Sequence, residues 1–263
     1  MSAQEVADVL EAWAPLSIQE PWDNAGFCIG LPQTEVNGVL LCLDISMEVI
    51  EEALSIGANM IISHHPLIFQ GLKQICGQNE PARIVAKAIQ HDLVVYAAHT
   101  NADKVFSGVS GQMADLLGLE ERQILRADNR TDMDAPVGLG IVGNLPQPEE
   151  SRNFLLRVKQ CFKLSSLRTG PLHASIIRKV AVCGGSGAPL IVQAQKCGAD
   201  IFLSGDISYH HFFPGDGSMI VADMGHFESE IGIIDRIVQV LLEKKPTFAV
   251  RTARCNINPV HYF

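Results

Sequence analysis

Short apolar runs alternate with stretches of helical periodicity in the first half of the chain. Residues 39–43, 59–63 and 93–98 have the length and composition of buried strands. The intervening residues 47–56 and 81–91 carry apolar side chains at helical spacing. Because parallel strands need long crossover connections, usually helices, this order predicts an α/β fold with a parallel sheet.

The second half of the chain repeats this order. Residues 198–204 match residues 57–63 at an offset of 141, and Cys183 matches Cys42 at the same offset. The match predicts two similar α/β lobes related by internal duplication, with their strand ends meeting at one cleft. The alternative is a chance likeness between two α/β units.

A segment rich in Asp, Asn, Pro and Gly interrupts the repeat. It lies near residues 126–135 and marks the predicted boundary between an N-terminal lobe at 1–125 and a C-terminal lobe at 126–263. A chain of 263 residues is long enough for a substantial core, and we expect the two lobes to form one compact domain together.

The charge balance and the cysteines narrow the functional classes. The formal net charge is −9, whereas nucleic-acid binders are usually basic, so a nucleic-acid role is disfavoured. No apolar run reaches the roughly 20 residues that span a bilayer, and the acidic N-terminus lacks the features of a signal peptide. The 7 cysteines form no C-x-x-C pair, a pattern typical of a reducing cytosol. We therefore expect a cytoplasmic protein without membrane association.

Two adjacent histidines, His64 and His65, directly follow the strand-like run at 59–63. Burying an imidazole without a partner costs several kcal/mol, on the order of 2–7 for each polar group. Pro66 disfavours a helix at His65, and side chains of neighbouring extended residues diverge, so the pair could serve two metal ions. The alternatives are exposed loop histidines, or histidines hydrogen-bonded to carboxylates.

Two further pairs follow other strand-like runs. His226 and Glu230 are four residues apart, so on a helix they share a face and could chelate one ion, although ordinary surface pairs have the same spacing. His99 and Asp103 add an imidazole and a carboxylate after the run at 93–98. Asp103 could instead cap the segment that follows it.

Together these segments offer three imidazoles and two carboxylates as metal ligands, from His64, His65, Asp103, His226 and Glu230. The set is too large for one tetrahedral zinc and suits two divalent ions per subunit, Zn, Fe or Mn, that share a carboxylate such as Glu230. Two such ions can activate a water for attack on an ester, phosphate or ring carbon. The cleft between the lobes is the expected place for this site, with His99 and Asp206 as the candidate acid–base residues. The Gly-rich residues 184–187 predict a tight turn or a phosphate-binding loop that lacks the P-loop lysine.

Several motifs in this order resemble the GTP cyclohydrolase 1 type 2 homologue family. They are Trp22-Asp23-Asn24-Ala25-Gly26, Ser63-His64-His65-Pro66-Leu67-Ile68-Phe69, His99-Thr100-Asn101-Ala102-Asp103, Cys183-Gly184-Gly185-Ser186-Gly187, Ser204-Gly205-Asp206, and Asp223-Met224-Gly225-His226 through Glu230. The motifs span nearly the whole chain, which makes the resemblance specific.

The resemblance implies a dinuclear metal site formed by the same five residues and a ring-shaped homohexamer. It also implies a nucleotide-like small-molecule substrate, with hydrolytic opening of the guanine ring of GTP and His99 as a proton shuttle. The alternative is a non-catalytic protein that stores, senses or delivers metal. Both functions need the same ligands, so the residues do not separate them.

Overall fold

The computed structural model describes residues 1–130, 135–213, 219–244 and 246–262. Its α-helices are, in chain order, α1 (Ala3–Trp13), α2 (Met47–Ser55), α3 (Glu80–Gln90), α4 (Thr100–Lys104), α5 (Val109–Leu116), α6 (Ser151–Cys161), α7 (Ile191–Lys196), α8 (His226–Glu230) and α9 (Gly232–Glu243). Its strands are β1 (Gly26–Ile29), β2 (Gly38–Cys42), β3 (Met60–Ser63), β4 (Val94–Ala97), β5 (Glu120–Ala127), β6 (Gly138–Glu150), β7 (Arg168–Thr169), β8 (Ile176–Ser186), β9 (Ile201–Gly205), β10 (Ile220–Asp223) and β11 (Ala249–Thr252).

The chain folds into two compact units, each built around one sheet. The first unit comprises residues 1–102 and 233–257, and the second comprises residues 103–232 and 258–263. Among the described residues, no helix has the length and apolar composition needed to cross a membrane.

The sheet of the first unit has the strand order β1-β4-β3-β2-β11. Its neighbours β2, β3 and β4 run parallel, and all their residues are buried, as the uninterrupted apolar runs predict. Crossover helices α2 and α3 each begin at a side-chain cap, Ser46 and Asn79 respectively. The predicted α/β fold is therefore confirmed.

The sheet of the second unit has the strand order β5-β6-β8-β9-β10-β7. Strands β8, β9 and β10 are parallel, and β5, β6 and β8 form an antiparallel section that the sequence did not predict. Val180 and Val182 contribute to one core cluster, and Ala181 and Cys183 to another. Because alternate strand residues point to opposite faces, this sheet is buried on both sides.

The strand registers are consistent with the predicted duplication. Val39 pairs with Met60 in the first sheet, and Val180 pairs with Ile201 in the second, so both partners are shifted by 141 residues. In each sheet the third parallel strand carries an antiparallel edge strand, β1 on β4 and β7 on β10. A five-residue helix then follows, α4 after β4 and α8 after β10. A shared register and a shared strand order support two copies of one α/β unit.

The two units do not follow the predicted boundary between residues 125 and 126. Strand β5 belongs to the second unit because it pairs with β6, and β11 belongs to the first because it runs parallel to β2. The C-terminal residues 233–257 thus return to the first unit, a long-range pairing that local composition does not reveal. Part of the predicted linker, residues 131–134, lies outside the described residues.

Candidate metal centre

In the first unit, the residues after β3 carry the adjacent histidines. The backbone N–H groups of His64 and His65 donate to the carbonyl oxygens of Cys42 and Leu43, which continues the β2–β3 pairing past the end of β3. The Ser63 hydroxyl donates to the carbonyl oxygen of His65 at 2.7 Å. The backbone that presents both imidazoles is therefore held by the sheet itself.

Three imidazoles converge at this end of the sheet. The ring centroids of His64 and His65 are 5.0 Å apart, and that of His99 lies 5.3 Å from His64 and 5.5 Å from His65. Ring nitrogens of all three lie within 4.8 Å of one another, a spacing that can hold a metal ion. His64 is fully buried and His65 is partly exposed. The three rings therefore form one cluster. The sequence alone showed only that each histidine follows the end of a strand.

Each of these rings uses its Nδ1 atom to contact an oxygen on the outer side of the cluster. Nδ1 of His64 donates to the carbonyl oxygen of Ala98 at 2.8 Å, and Nδ1 of His65 lies 2.8 Å from Asp44 Oδ1. Nδ1 of His99 lies 2.7 Å from Asp23 Oδ1. This pattern sets the ring orientation, so Nε2 is the atom that each ring would offer to a metal.

Asp23 is the buried anchor of His99. Its side chain is fully buried and also accepts hydrogen bonds from the backbone N–H and the hydroxyl of Thr100. Burial opposes ionisation of this carboxyl, but the hydrogen bonds from His99 and Thr100 outweigh it and lower the pKa of Asp23 to about 2. A carboxylate that stays ionised makes His99 a stronger ligand or base.

In the second unit, α8 carries the predicted His226–Glu230 pair on one face. His226 Nε2 and Glu230 Oε2 are 3.0 Å apart. Metal–ligand bonds of about 2.0–2.2 Å allow two ligands at such a separation to bind one ion. Nδ1 of His226 lies 2.8 Å from Asp206 Oδ2, and that oxygen also accepts a hydrogen bond from the Ser186 hydroxyl. As with the histidines of the first unit, Nδ1 of His226 therefore contacts an oxygen and Nε2 is left to face the proposed metal position.

Two glycines make room for this pair. A Cβ atom at Gly185, whose φ is +60°, would lie 2.2 Å from Glu230 Oε1, and one at Gly205 would lie 2.8 Å from the His226 Cα. Gly205 occupies the position that corresponds to His64 in the duplication, and Asp206 corresponds to His65. The second unit therefore uses its β9 end to seat and orient a histidine instead of supplying one.

Asp103 and Glu230 lie close together within the second unit. Their carboxylate oxygens are within 4.8 Å of one another. Asp103 lies inside α4, and the helix that follows, α5, begins after Gly108 without a side-chain cap, so Asp103 does not cap it. Burial, together with the charges of Asp103 and Glu230, raises the pKa of the Cys183 thiol to about 12. The nearby thiol is therefore protonated at neutral pH, and the carboxylates are the anionic donors here.

The structure brings the sequence-predicted residues together within each unit. His64, His65 and His99 form a cluster in the first unit, and Asp103, His226 and Glu230 lie together in the second, with Asp206 behind His226. The alternative, that these histidines are hydrogen-bonded to carboxylates, is also partly correct, because His65 and His99 each contact a carboxylate through Nδ1. Those contacts do not explain why the three rings converge, whereas a metal site does. The imidazole and carboxylate donors fit a divalent ion such as Zn, Fe or Mn.

Three residues that position this site were missed as functional residues. Asp44 directly follows β2, so the strand-end argument that found His64 could have found it. Asp23 is 76 residues from His99, and no local pattern links them. The role of Gly185 depends on where the Glu230 side chain packs.

Removing the outer carboxylate of His226 should weaken metal binding without unfolding the protein. Asp206 is half-exposed and has a φ of +52°, which Asp tolerates better than Ala, so we expect Asp206→Ala to lower metal affinity about 10- to 100-fold and the free energy of unfolding by only about 1 kcal/mol. Competition with a chromophoric chelator would measure the affinity. Asp115→Ala, at an exposed carboxylate paired with Arg122, is the matched control. Equal affinities in both variants would contradict an orienting role for Asp206.

Comparison with known proteins places this chain in a family. The model of the family Duf34/NIF3 (NGG1p interacting factor 3) matches residues 1–259. The chain is 33% identical to a GTP cyclohydrolase 1 type 2 homolog of Clostridium acetobutylicum, over 88% of this chain and 85% of that protein. It is 31% identical to the protein of the same name from Streptococcus pneumoniae, over the full length of both.

Solved structures share the fold. A hypothetical protein of Staphylococcus aureus superposes with a TM-score of 0.89 at 28% identity, covering 100% of this chain and 99% of that one. A Bacillus cereus protein related to NIF3 superposes with a TM-score of 0.90 at 23% identity and covers the same shares. With the family model matching nearly every residue and the same fold in these structures, the chain belongs to the Duf34/NIF3 family.

Proposed function

We propose that the protein is a metal-dependent hydrolase that binds two divalent ions through His64, His65, Asp103, His226 and Glu230 and acts on a nucleotide or a related small molecule. One observation carries the metal assignment. Every histidine at the candidate centre has Nδ1 against an outer oxygen, from Ala98, Asp44, Asp23 or Asp206. This is the usual environment of metal-ligating imidazoles.

The names of the relatives support the nucleotide part of the proposal, since the proteins from Clostridium acetobutylicum and Streptococcus pneumoniae are called GTP cyclohydrolase 1 type 2 homologs. Bound divalent ions would polarise the substrate and lower the pKa of a coordinated water. The chain's own residues orient the ligands and transfer protons. His99, backed by the ionised Asp23, is the proposed proton-transfer residue, and Asp206 is a positioning residue for His226.

Metal content is the first test of the proposal. Chelator-treated protein is reloaded with Zn, Mn or Fe, and elemental analysis should find about two ions per chain. His65→Ala and Glu230→Gln each remove one proposed ligand, and a dinuclear centre predicts that either variant loses metal. His91→Ala, at an exposed histidine that follows α3, should load normally. Unaltered metal content in both ligand variants would refute the ligand set.

Turnover separates an enzyme from a metal-binding protein. The loaded protein is incubated with a panel of nucleotides, and product formation is compared with that of Glu230→Gln. Turnover by the wild type that the variant lacks supports a hydrolase. Full metal content without turnover of any nucleotide favours metal storage, sensing or delivery. The mass of the assembly in the same preparation tests the implied homohexamer, which requires six times the 28.6 kDa of one chain.

A further inference from the structure

Two exposed aromatic side chains lie beside His99 in the first unit. The ring centroids of Trp22 and Phe69 are 5.8 Å apart and meet edge to face. The Trp22 ring lies 6.1 Å from the His99 ring, and the Phe69 ring lies 6.4 Å from it. Trp22 is 58% exposed and Phe69 is 52% exposed. Two exposed aromatic side chains in contact form an apolar patch, and such patches mark candidate binding surfaces.

The two aromatic residues are held in place by the same loops that build the metal centre. The Asn24 side-chain amide donates to the carbonyl oxygen of Ile68 at 2.7 Å, which ties the Trp22 turn to the loop that carries Phe69. Asp23, the neighbour of Trp22, holds both His99 and Thr100. The backbone of the turn that carries Trp22 is therefore fixed relative to His99, which keeps the Trp22 ring next to the candidate site.

A cavity of about 710 Å³ adjoins Phe69. Besides apolar residues, its lining includes Gln70, Lys73 and Gln74. The volume is within the range of small-molecule sites. Glutamines and a lysine in the lining favour a ligand with hydrogen-bonding groups and negative charge over a lipid or an apolar peptide.

We propose that Trp22 and Phe69 form an aromatic platform beside His99, in which the face of Trp22 stacks on the flat heteroaromatic ring of the substrate and Phe69 contacts the edge of that ring. A purine nucleotide is the class that combines such a ring with the anionic group that Lys73 could meet. The inference rests on the proposed function, because it names the part of the substrate that is presented to the metal centre. Base–aromatic stacking depends on a flat π-face and does not need a specific edge pattern.

Fluorescence of Trp22 tests the platform directly. The chain has 2 tryptophans, so Trp13→Phe leaves Trp22 as the only reporter. We expect guanosine and GTP to quench this fluorescence saturably in metal-free and metal-loaded protein alike. Tripolyphosphate carries the charge without the ring and should leave it unchanged. Quenching by tripolyphosphate alone, or by none of the three, would overturn the proposal.

Variants separate stacking from structural effects. We expect Trp22→Ala and Phe69→Ala to weaken guanosine binding, measured by calorimetry, about tenfold or more, and Trp22→Phe to restore most of it. Phe213→Ala is the matched control, because Phe213 is 59% exposed but contacts Tyr209 instead of His99. Wild-type affinity in both alanine variants would overturn the platform, and so would a changed assembly mass in Trp22→Ala, which would assign the patch to contact between copies of the chain.

The two proposals fail in different ways. Normal metal content without quenching by any ring compound refutes the platform and leaves the metal centre standing. Quenching by guanosine in a protein that binds no metal supports the platform and refutes the metal-dependent hydrolase.

Discussion

Gly185→Ala is expected to weaken metal binding at least about 100-fold in a protein that still folds. A Cβ atom at this position would lie 2.2 Å from Glu230 Oε1 and 3.2 Å from its Cδ, and the φ of +60° already disfavours a side chain. The carboxylate is the movable partner in this collision, since it is the end of a flexible side chain. It would swing away from His226, and the centre would lose its buried anionic ligand. We expect the loss to exceed the roughly 10- to 100-fold that removal of one outer partner of a ligand typically costs.

Gly198→Ala separates the collision from the backbone effect. Gly198 also belongs to the second unit and has a φ of +70°, but nothing lies within 4 Å of its Cβ position. Both variants should lose about 1–2 kcal/mol of unfolding free energy from the left-handed backbone. Only Gly185→Ala should lose metal in an isothermal titration. Normal metal affinity in Gly185→Ala would show that Glu230 does not bind the ions from its observed position.

Asp23→Ala is expected to be the most destabilising single change at the site. The variant removes a fully buried carboxylate and deprives the His99 ring and both Thr100 donors of their acceptor. Hydrogen bonds to a charged group are worth about 1.5–3 kcal/mol each, and buried donors left without an acceptor add to the loss. We expect the free energy of unfolding to fall by about 3 kcal/mol or more, measured by urea denaturation of the metal-free protein.

Asp44→Ala is the matched control for Asp23. Asp44 makes the same kind of contact, to Nδ1 of His65, but its side chain is 57% exposed. Its removal should change stability by less than about 0.5 kcal/mol while still weakening metal binding. If Asp23→Ala does not fold, Asp23→Asn keeps the shape and one acceptor oxygen and should show a smaller loss. Equal stability of the Asp23 and Asp44 variants would mean that burial does not set the strength of these contacts.

The candidate ligands were predictable because strand ends can be located from apolar runs. A buried parallel strand is a short uninterrupted apolar segment, so the polar residues that follow it are placed at one edge of the sheet. This argument predicted His64, His65 and His99, and the structure gathers them at the edge of the first sheet. The helical spacing of His226 and Glu230 predicted a shared face, and their side chains meet there.

The boundary predicted between the two lobes differs from the observed units because those units depend on long-range pairing. The antiparallel pairing of β5, β6 and β8 and the return of β11 to β2 depend on which distant segments pack together. Composition marks a polar segment near residues 126–135, but a polar segment can be a hairpin connection as readily as a linker. The observed units therefore divide at residues 102–103, 232–233 and 257–258, and the composition of the chain marks none of these positions as a boundary.

By itself the sequence determined the α/β order, the duplicated register and the histidines and carboxylates that end the strands, because these features depend on spacing between neighbours along the chain. Only the tertiary structure decided which oxygen holds each imidazole, why Gly185 must lack a side chain, and that Trp22 and Phe69 flank His99. Those contacts join residues brought together by packing, and the free energy of packing a particular pair is not encoded in the pattern around either member.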